Sequence, residues 1–198
     1  MNQPTLTEKR ALLAKLLQRE TYSYPLSHGQ QALWVIHQSD PTNPAYNMAL
    51  AIDLQGDLKL ARLRQASQAL VERHSALRTT VDFVNGELAQ IVQPSGTYSW
   101  HEHQVIDYPE DQLWAAMKLA HEQPFDITKG PVLRLNLFQI KPQRYILLLT
   151  MHHICGDAGS LILLGNDLLT FYQAEITGQK AVLPPIPVGY ADFVRSET

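Results

Sequence analysis

Stretches in which apolar residues recur every three or four positions take turns with shorter stretches in which they alternate or run together. That patterning predicts helices interleaved with strands. The strongest strand signal is Tyr145-Ile146-Leu147-Leu148-Leu149, an apolar run expected to be buried on both faces. Just before it, Leu133, Leu135 and Leu137 alternate with Arg134, Asn136 and Phe138, which predicts a strand half-buried on one face. Lys141-Pro142-Gln143 turns the first of these strands into the second, so the two are predicted to be antiparallel neighbours. After them, Leu161, Leu164, Leu168 and Tyr172 share a helix face, with Gly178 as the stop and Gly165 allowing close approach to the sheet.

The remaining pattern fills in around that centre. Thr5-x-x-Glu8 is a capping-box signature, and Leu12, Leu13, Leu16 and Leu17 form an apolar stripe, so residues 1–20 are expected to hold a leading helix. A second helix is predicted over His28–Gln38, packing Leu33, Trp34 and Ile36 into the core. Asn47–Leu54 reads as a strand, and Asp57 is positioned to cap a helix carrying Leu60, Leu63, Ala66 and Leu70. Strands over Leu77–Val84 and Glu87–Gln93 are joined by Asn85-Gly86, a strong hairpin signal. Ser99–Ile106 is a further strand, and Pro109–Gln123 a helix with Leu113, Met117 and Ala120 on one side. Pro184-Pro185-Ile186-Pro187 must be extended, and Tyr190–Arg195 starts another helix.

Composition narrows the function classes. The chain has 198 residues, suiting one domain or one lobe of a larger one, and 45% of them are hydrophobic. A net charge of -3 leaves no basic footprint for nucleic acid. No apolar run approaches a membrane span, and the first residues lack the apolar core of a secretory signal, so a cytoplasmic protein without a membrane partner is expected. The single cysteine, Cys155, excludes an internal disulfide.

The candidate chemistry sits where the central strand ends, in His152-His153-Ile154-Cys155-Gly156-Asp157-Ala158-Gly159. Neighbouring side chains on an extended segment point to opposite faces, so the two imidazoles cannot address one site. One is expected to face a pocket and the other to pack inside the body. Histidine suits general-base work because its ordinary pKa lies near neutrality. Asp157 is placed to hold the loop, through an ion pair or through backbone hydrogen bonds. Cys155, in an apolar loop, reads as an inert thiol rather than a nucleophile. His101-x-His103 points two imidazoles to one side of a strand, but two ligands do not make a metal site, and none is expected.

Four segments in order resemble one family. His152-His153-x-x-x-Asp157 followed by Ala158 resembles the HHxxxDG motif of the condensation-domain superfamily, with Ala158 in the glycine position between Gly156 and Gly159. Leu26–Trp34 is similar to its S-x-A-Q-x-R-L/M-W segment through Ser27, Gln30 or Gln31, and Trp34. Arg73-His74-Ser75-Ala76-Leu77-Arg78-Thr79 is similar to RHExLRT, and Pro124–Arg134 to PFDL-x-x-GPLLR. The resemblance implies an α/β, chloramphenicol-acetyltransferase-like two-layer sandwich, with residues 1–198 as the N-terminal lobe of a two-lobe condensation domain. Residues 21–198 would form the lobe core, and the C-terminal lobe would be absent. It implies peptide-bond formation between thioesters delivered on phosphopantetheine by donor and acceptor carrier proteins, with neighbouring synthetase domains as further partners and no cofactor held by this chain. His153 would be the active-site histidine, with His152 beside it, and Asp157 would pair with Arg73 or Arg78 to stiffen the loop. Two alternatives remain open: an acyltransferase acting on CoA thioesters, and a non-catalytic domain that only docks carrier proteins.

Overall fold

The structure, a computed structural model, describes residues 22–186 together with Gly189, Tyr190 and Val194. The leading helix expected within residues 1–20, and most of the one expected over 190–195, lie outside the described residues. In chain order the elements are β1 (Tyr22–Pro25), α1 (His28–Ser39), β2 (Asn47–Gln55), α2 (Leu60–Arg73), β3 (Thr79–Val84) and β4 (Glu87–Val92). They continue with β5 (Ser99–Gln104), α3 (Glu110–His121), β6 (Leu133–Lys141), β7 (Arg144–His152) and α4 (Ala158–Thr177).

β7 is an interior strand. The main sheet runs β2-β7-β6-β5, with β7 antiparallel to both neighbours and β5 parallel to β6. A smaller antiparallel sheet runs β1-β4-β3, and its β3–β4 hairpin turns on Asn85 and Gly86. Both turn residues have positive φ, 53° and 86°, as a tight two-residue hairpin turn requires.

One face of the main sheet carries α2 and α4. Leu63, Leu70, Leu164 and Leu168 from the helices meet Leu135, Leu147 and Leu149 from β6 and β7 in one apolar cluster. Each such fully buried side chain contributes about 1.5–3 kcal/mol, so this layer holds the strand that ends in the histidines. Gly165 lets α4 approach β2: a Cβ there would come 2.8 Å from Leu50 Cδ2. Gly178, at φ 69°, ends the helix in the left-handed conformation.

The opposite face corrects the expectation of a half-buried β6. Met117 and Ala120 of α3 pack on Phe138 and Leu148, so Leu133–Phe138 are buried on both faces. Arg134 tolerates this because its guanidinium donates to the carbonyls of Gln123 and Pro124, at 2.9 and 3.0 Å, and lies over the Phe125 ring. Three smaller expectations also change. Asp57 does not cap α2; Lys59 is the N-cap residue, and its N–H donates to Tyr172 Oη at 2.9 Å. Ile36 is exposed on α1 while Trp34 is buried, because only the Trp34 side of the helix meets Val81, Phe125 and Ile154. Leu77 belongs to a short 3-10 turn, Ser75–Arg78, and the strand begins after it.

Candidate active site

The end of β7 separates the two histidines. His152 is the last strand residue and is only 4% exposed. Its Nδ1 accepts the N–H of Ile154 at 3.1 Å, and its ring stands edge-on to His37 at 5.8 Å. Burial, helped by His37 and His153 nearby, pushes its pKa down to about 4. The ring is therefore neutral near pH 7, with Nδ1 as the acceptor and the proton on Nε2.

His153 opens the 3-10 turn His153–Cys155 and is exposed. It lines a cleft of about 710 Å³ together with Gly29, Gln30, Leu33, Ala76 and Leu163. Parity foretold this division, and the turn completes it by swinging the second imidazole out of the sheet.

Three contacts fix the loop behind His153. Ile154 is buried against Leu26, Trp34 and Phe125. Its carbonyl accepts from Gln30 Nε2 at 3.2 Å, while Gln30 Oε1 accepts the Ser27 N–H at 3.1 Å. Ser27 Oγ in turn accepts the Gln30 N–H at 3.2 Å, closing a capping box at the start of α1. Of the two glutamines that sequence left open, Gln30 reaches the motif; Gln31 Nε2 donates to the Leu26 carbonyl instead. The third contact is close packing at Gly156. A Cβ there would lie 2.7 Å from Met151 Cε and 2.8 Å from Ser160 Cβ.

Asp157 is the N-cap of α4. Its Oδ1 accepts the N–H and the Oγ–H of Ser160, both at 2.8 Å, and Ser160 Oγ accepts the Asp157 N–H at 3.2 Å. These bonds hold its carboxyl below the usual carboxylate range. Ala158, the first residue of α4, needs no positive φ, so alanine suits the position; Gly159 follows it inside the first turn.

The arginines do not do what the resemblance implied. Arg73 Nε pairs with Asp167 Oδ2 at 3.0 Å, and its Nη2 donates to the Pro184 carbonyl. His74 Nε2 lies 2.8 Å from the same Asp167 oxygen, and burial lowers the His74 pKa against the pull of that carboxylate. Arg78 donates to the carbonyls of Gln93 and Glu72. Among the described residues no arginine forms an ion pair with Asp157. The reason is distance along α4: ten residues separate Asp157 from Asp167, about 15 Å of helix, and α2 ends beside the second. Asp167 was the residue that sequence reading missed. Its signal was a lone carboxylate on the helix face of Leu164 and Leu168.

The remaining candidates have other employment. Burial pushes the Cys155 thiol up to about 12, so it stays protonated and a poor nucleophile. His103 stacks on Phe138 at 4.3 Å and bonds Asn136 Oδ1 at 3.0 Å, whereas His101 is exposed. The β5 pair therefore does not converge on one ligand.

Comparison with known proteins agrees with this architecture. The family model for the Condensation domain matches residues 20–198. Tyrocidine synthase 3 of Brevibacillus parabrevis is 36% identical over 175 residues, covering 86% of this chain and 2% of that protein. Phosphinothricin tripeptide synthetase PhsC of Streptomyces viridochromogenes is 36% identical over 173 residues, covering 85% of this chain and 16% of that protein. The chain thus spans a small part of the curated relatives it matches. Among solved structures, the starter condensation domain of rhizomide synthetase RzmA superposes with a TM-score of 0.79 at 21% identity, covering 89% of this chain and 43% of that one. The X-domain, solved in complex with OxyB from teicoplanin biosynthesis, superposes at 0.76 and 23% identity, covering 100% of this chain and 40% of that one. These likenesses show an α/β, chloramphenicol-acetyltransferase-like fold. By its sequence match over residues 20–198 and by the motif loop at the end of β7, this chain belongs to the Condensation domain family.

Proposed function

We propose that this chain is the N-terminal, motif-bearing lobe of a peptide-bond-forming condensation domain, with residues 21–198 as its core and a C-terminal lobe supplying the other wall of the cleft. The observation that carries the reading is the placement of His153: exposed in the cleft, on a loop braced by Gln30 and capped by Asp157, while its neighbour is buried and neutral. A rigid strand end that offers one accessible imidazole suits a proton acceptor.

The chemistry follows from that imidazole. An acceptor amine attacks the carbonyl carbon of a donor thioester, forming the C–N bond. The tetrahedral centre collapses by breaking C–S, and the thiolate leaves. His153 takes the proton that the amine must shed and can return it to the leaving sulfur. Donor and acceptor arrive as thioesters on the phosphopantetheine arms of carrier proteins in the cytoplasm, with neighbouring synthetase domains flanking the site. The chain itself contributes no cofactor to this step. Asp157 and Gln30 are positioning residues, acting through the loop rather than on the substrate.

The docking-only alternative draws on Ala158 in the glycine position and on the loose match of Leu26–Trp34 to its motif; the first ground weakens because Ala158 is helical, and the second because Gln30 of that segment bonds the Ile154 carbonyl. The experiment is single-turnover transfer between two loaded carrier proteins by the complete two-lobe domain, wild type against His153→Ala. General-base assistance is worth about 10²–10⁴-fold, so a loss in that range is expected with carrier binding nearly intact. A loss below tenfold would remove the base assignment. Faster transfer from a CoA thioester than from a carrier would favour the CoA acyltransferase reading.

A further inference from the structure

The brace behind His153 has one member from the far end of the chain. Tyr190 Oη lies 2.8 Å from Ser27 Oγ, a hydrogen bond between residues 163 positions apart. Ser27 Oγ is also the atom that accepts the Gln30 N–H, and Gln30 Nε2 holds the Ile154 carbonyl next to His153. A line of hydrogen bonds therefore runs from the Tyr190 phenol, through the cap of α1, to the motif loop. Bonds in such a line polarise one another, so the outermost bears on the last. The stretch that leads to Tyr190 is itself anchored. The Pro184 carbonyl accepts from Arg73 Nη2, and Arg73 Nε is fixed by the buried Asp167 carboxylate at 3.0 Å.

Two concavities meet at the same ring. Tyr190 lines the His153 cleft, and with Gln30, Ala76, Ile154 and Cys155 it also lines a small cavity of about 20 Å³. Atoms that border a void lack packing partners on that side. Close packing therefore does not set the place of the Ile154–Cys155 backbone there, and hydrogen bonds must.

We propose that Tyr190 is a positioning residue for the transfer reaction. Its hydroxyl, acting through Ser27 and Gln30, fixes the His153–Cys155 turn so that the imidazole stays presented to the cleft. The effect on transfer rests on His153 being the proton acceptor; the brace itself does not.

The test is Tyr190→Phe, which keeps the ring and removes only the hydroxyl. In the complete two-lobe domain, single-turnover transfer between loaded carrier proteins is expected to slow about fivefold, the worth of one ordinary hydrogen bond, with carrier binding unchanged. Made in a His153→Ala background, the same change is expected to slow transfer no further, because no imidazole is left to position. A second readout is independent of rate. In ¹H–¹³C spectra of the whole chain, the His153 ring signals are expected to move in Tyr190→Phe, and in the same direction in Ser27→Ala, while those of His101 stay in place. His153 signals that do not move in Tyr190→Phe would overturn the brace, whatever the rates. A full fivefold loss persisting in the His153→Ala background would put the effect on substrate or carrier and overturn the positioning role. If His153→Ala alone loses less than tenfold, the base reading fails, and the brace stands or falls on the ring signals.

Discussion

His152 and His153 have the same side chain and sit one residue apart, yet the fold gives them opposite environments. The buried ring carries a folded-state pKa of about 4 against an ordinary 6.5. Above pH 6.5 neither the folded nor the unfolded chain holds a proton there, and the site costs nothing. As pH falls from 6.5 towards 4, the unfolded chain takes up the proton first, so folding stability drains away by on the order of 3 kcal/mol. His152→Asn keeps an acceptor for the Ile154 N–H but removes the titration. Urea unfolding at pH 7 and pH 5 should therefore show a smaller loss in the variant than in the wild type. It should not vanish, because burial also lowers His37 and His74. An equal loss in both proteins would mean that another group carries the acid sensitivity. The division of the pair was legible in sequence, since strand parity is a local rule. The partner of Arg73 was not, because Asp167 lies 94 residues away and only the packing of α2 on α4 brings them together.

Elements were legible to the extent that their signals were local. The hairpin at Asn85-Gly86, the β6–β7 reversal and the Gly178 stop all came from residues within a few positions of the feature. The burial of β6 on both faces did not, because it depends on α3 folding back across the sheet. The start of α4 lies between these cases: sequence left an ion pair and backbone hydrogen bonds both open for Asp157, and the local one, the cap on the Ser160 N–H, is the one formed. Asp157 accepts two hydrogen bonds from Ser160, which defines a test at this scale. Asp157→Ala should cost about 1 kcal/mol in chemical denaturation, the usual value of an N-cap. Asp157→Asn, an equally good cap, should stay within a few tenths of wild type. If the asparagine variant were as damaged as the alanine one, the charge rather than the cap would be what the loop needs. Within the complete domain both variants are expected to affect transfer only as far as they disturb His153.

At the scale of the whole molecule, the described surface keeps apolar residues that a self-sufficient domain would cover. Ile162 and Leu163 on α4 are 59% and 53% exposed, and Val35 on the solvent side of α1 is 63% exposed. Leu163 also lines the His153 cleft, so this exposed side chain borders the proposed site. Solved relatives of the same fold are more than twice as long as the part this chain matches, which gives the surface a natural occupant in the proposed second lobe. Exposed apolar patches of this kind drive association when their partner is missing. The purified chain should therefore self-associate in sedimentation velocity at micromolar concentration and enhance the fluorescence of a hydrophobic dye. Leu163→Glu, on an exposed helix position, should reduce both effects while leaving thermal stability nearly unchanged. The complete two-lobe domain should show neither effect with Leu163 intact. A chain that stays monomeric and dark to the dye would mean that the α4 surface is adequately solvated as it stands. The second wall of the His153 cleft would then have to be sought on another face.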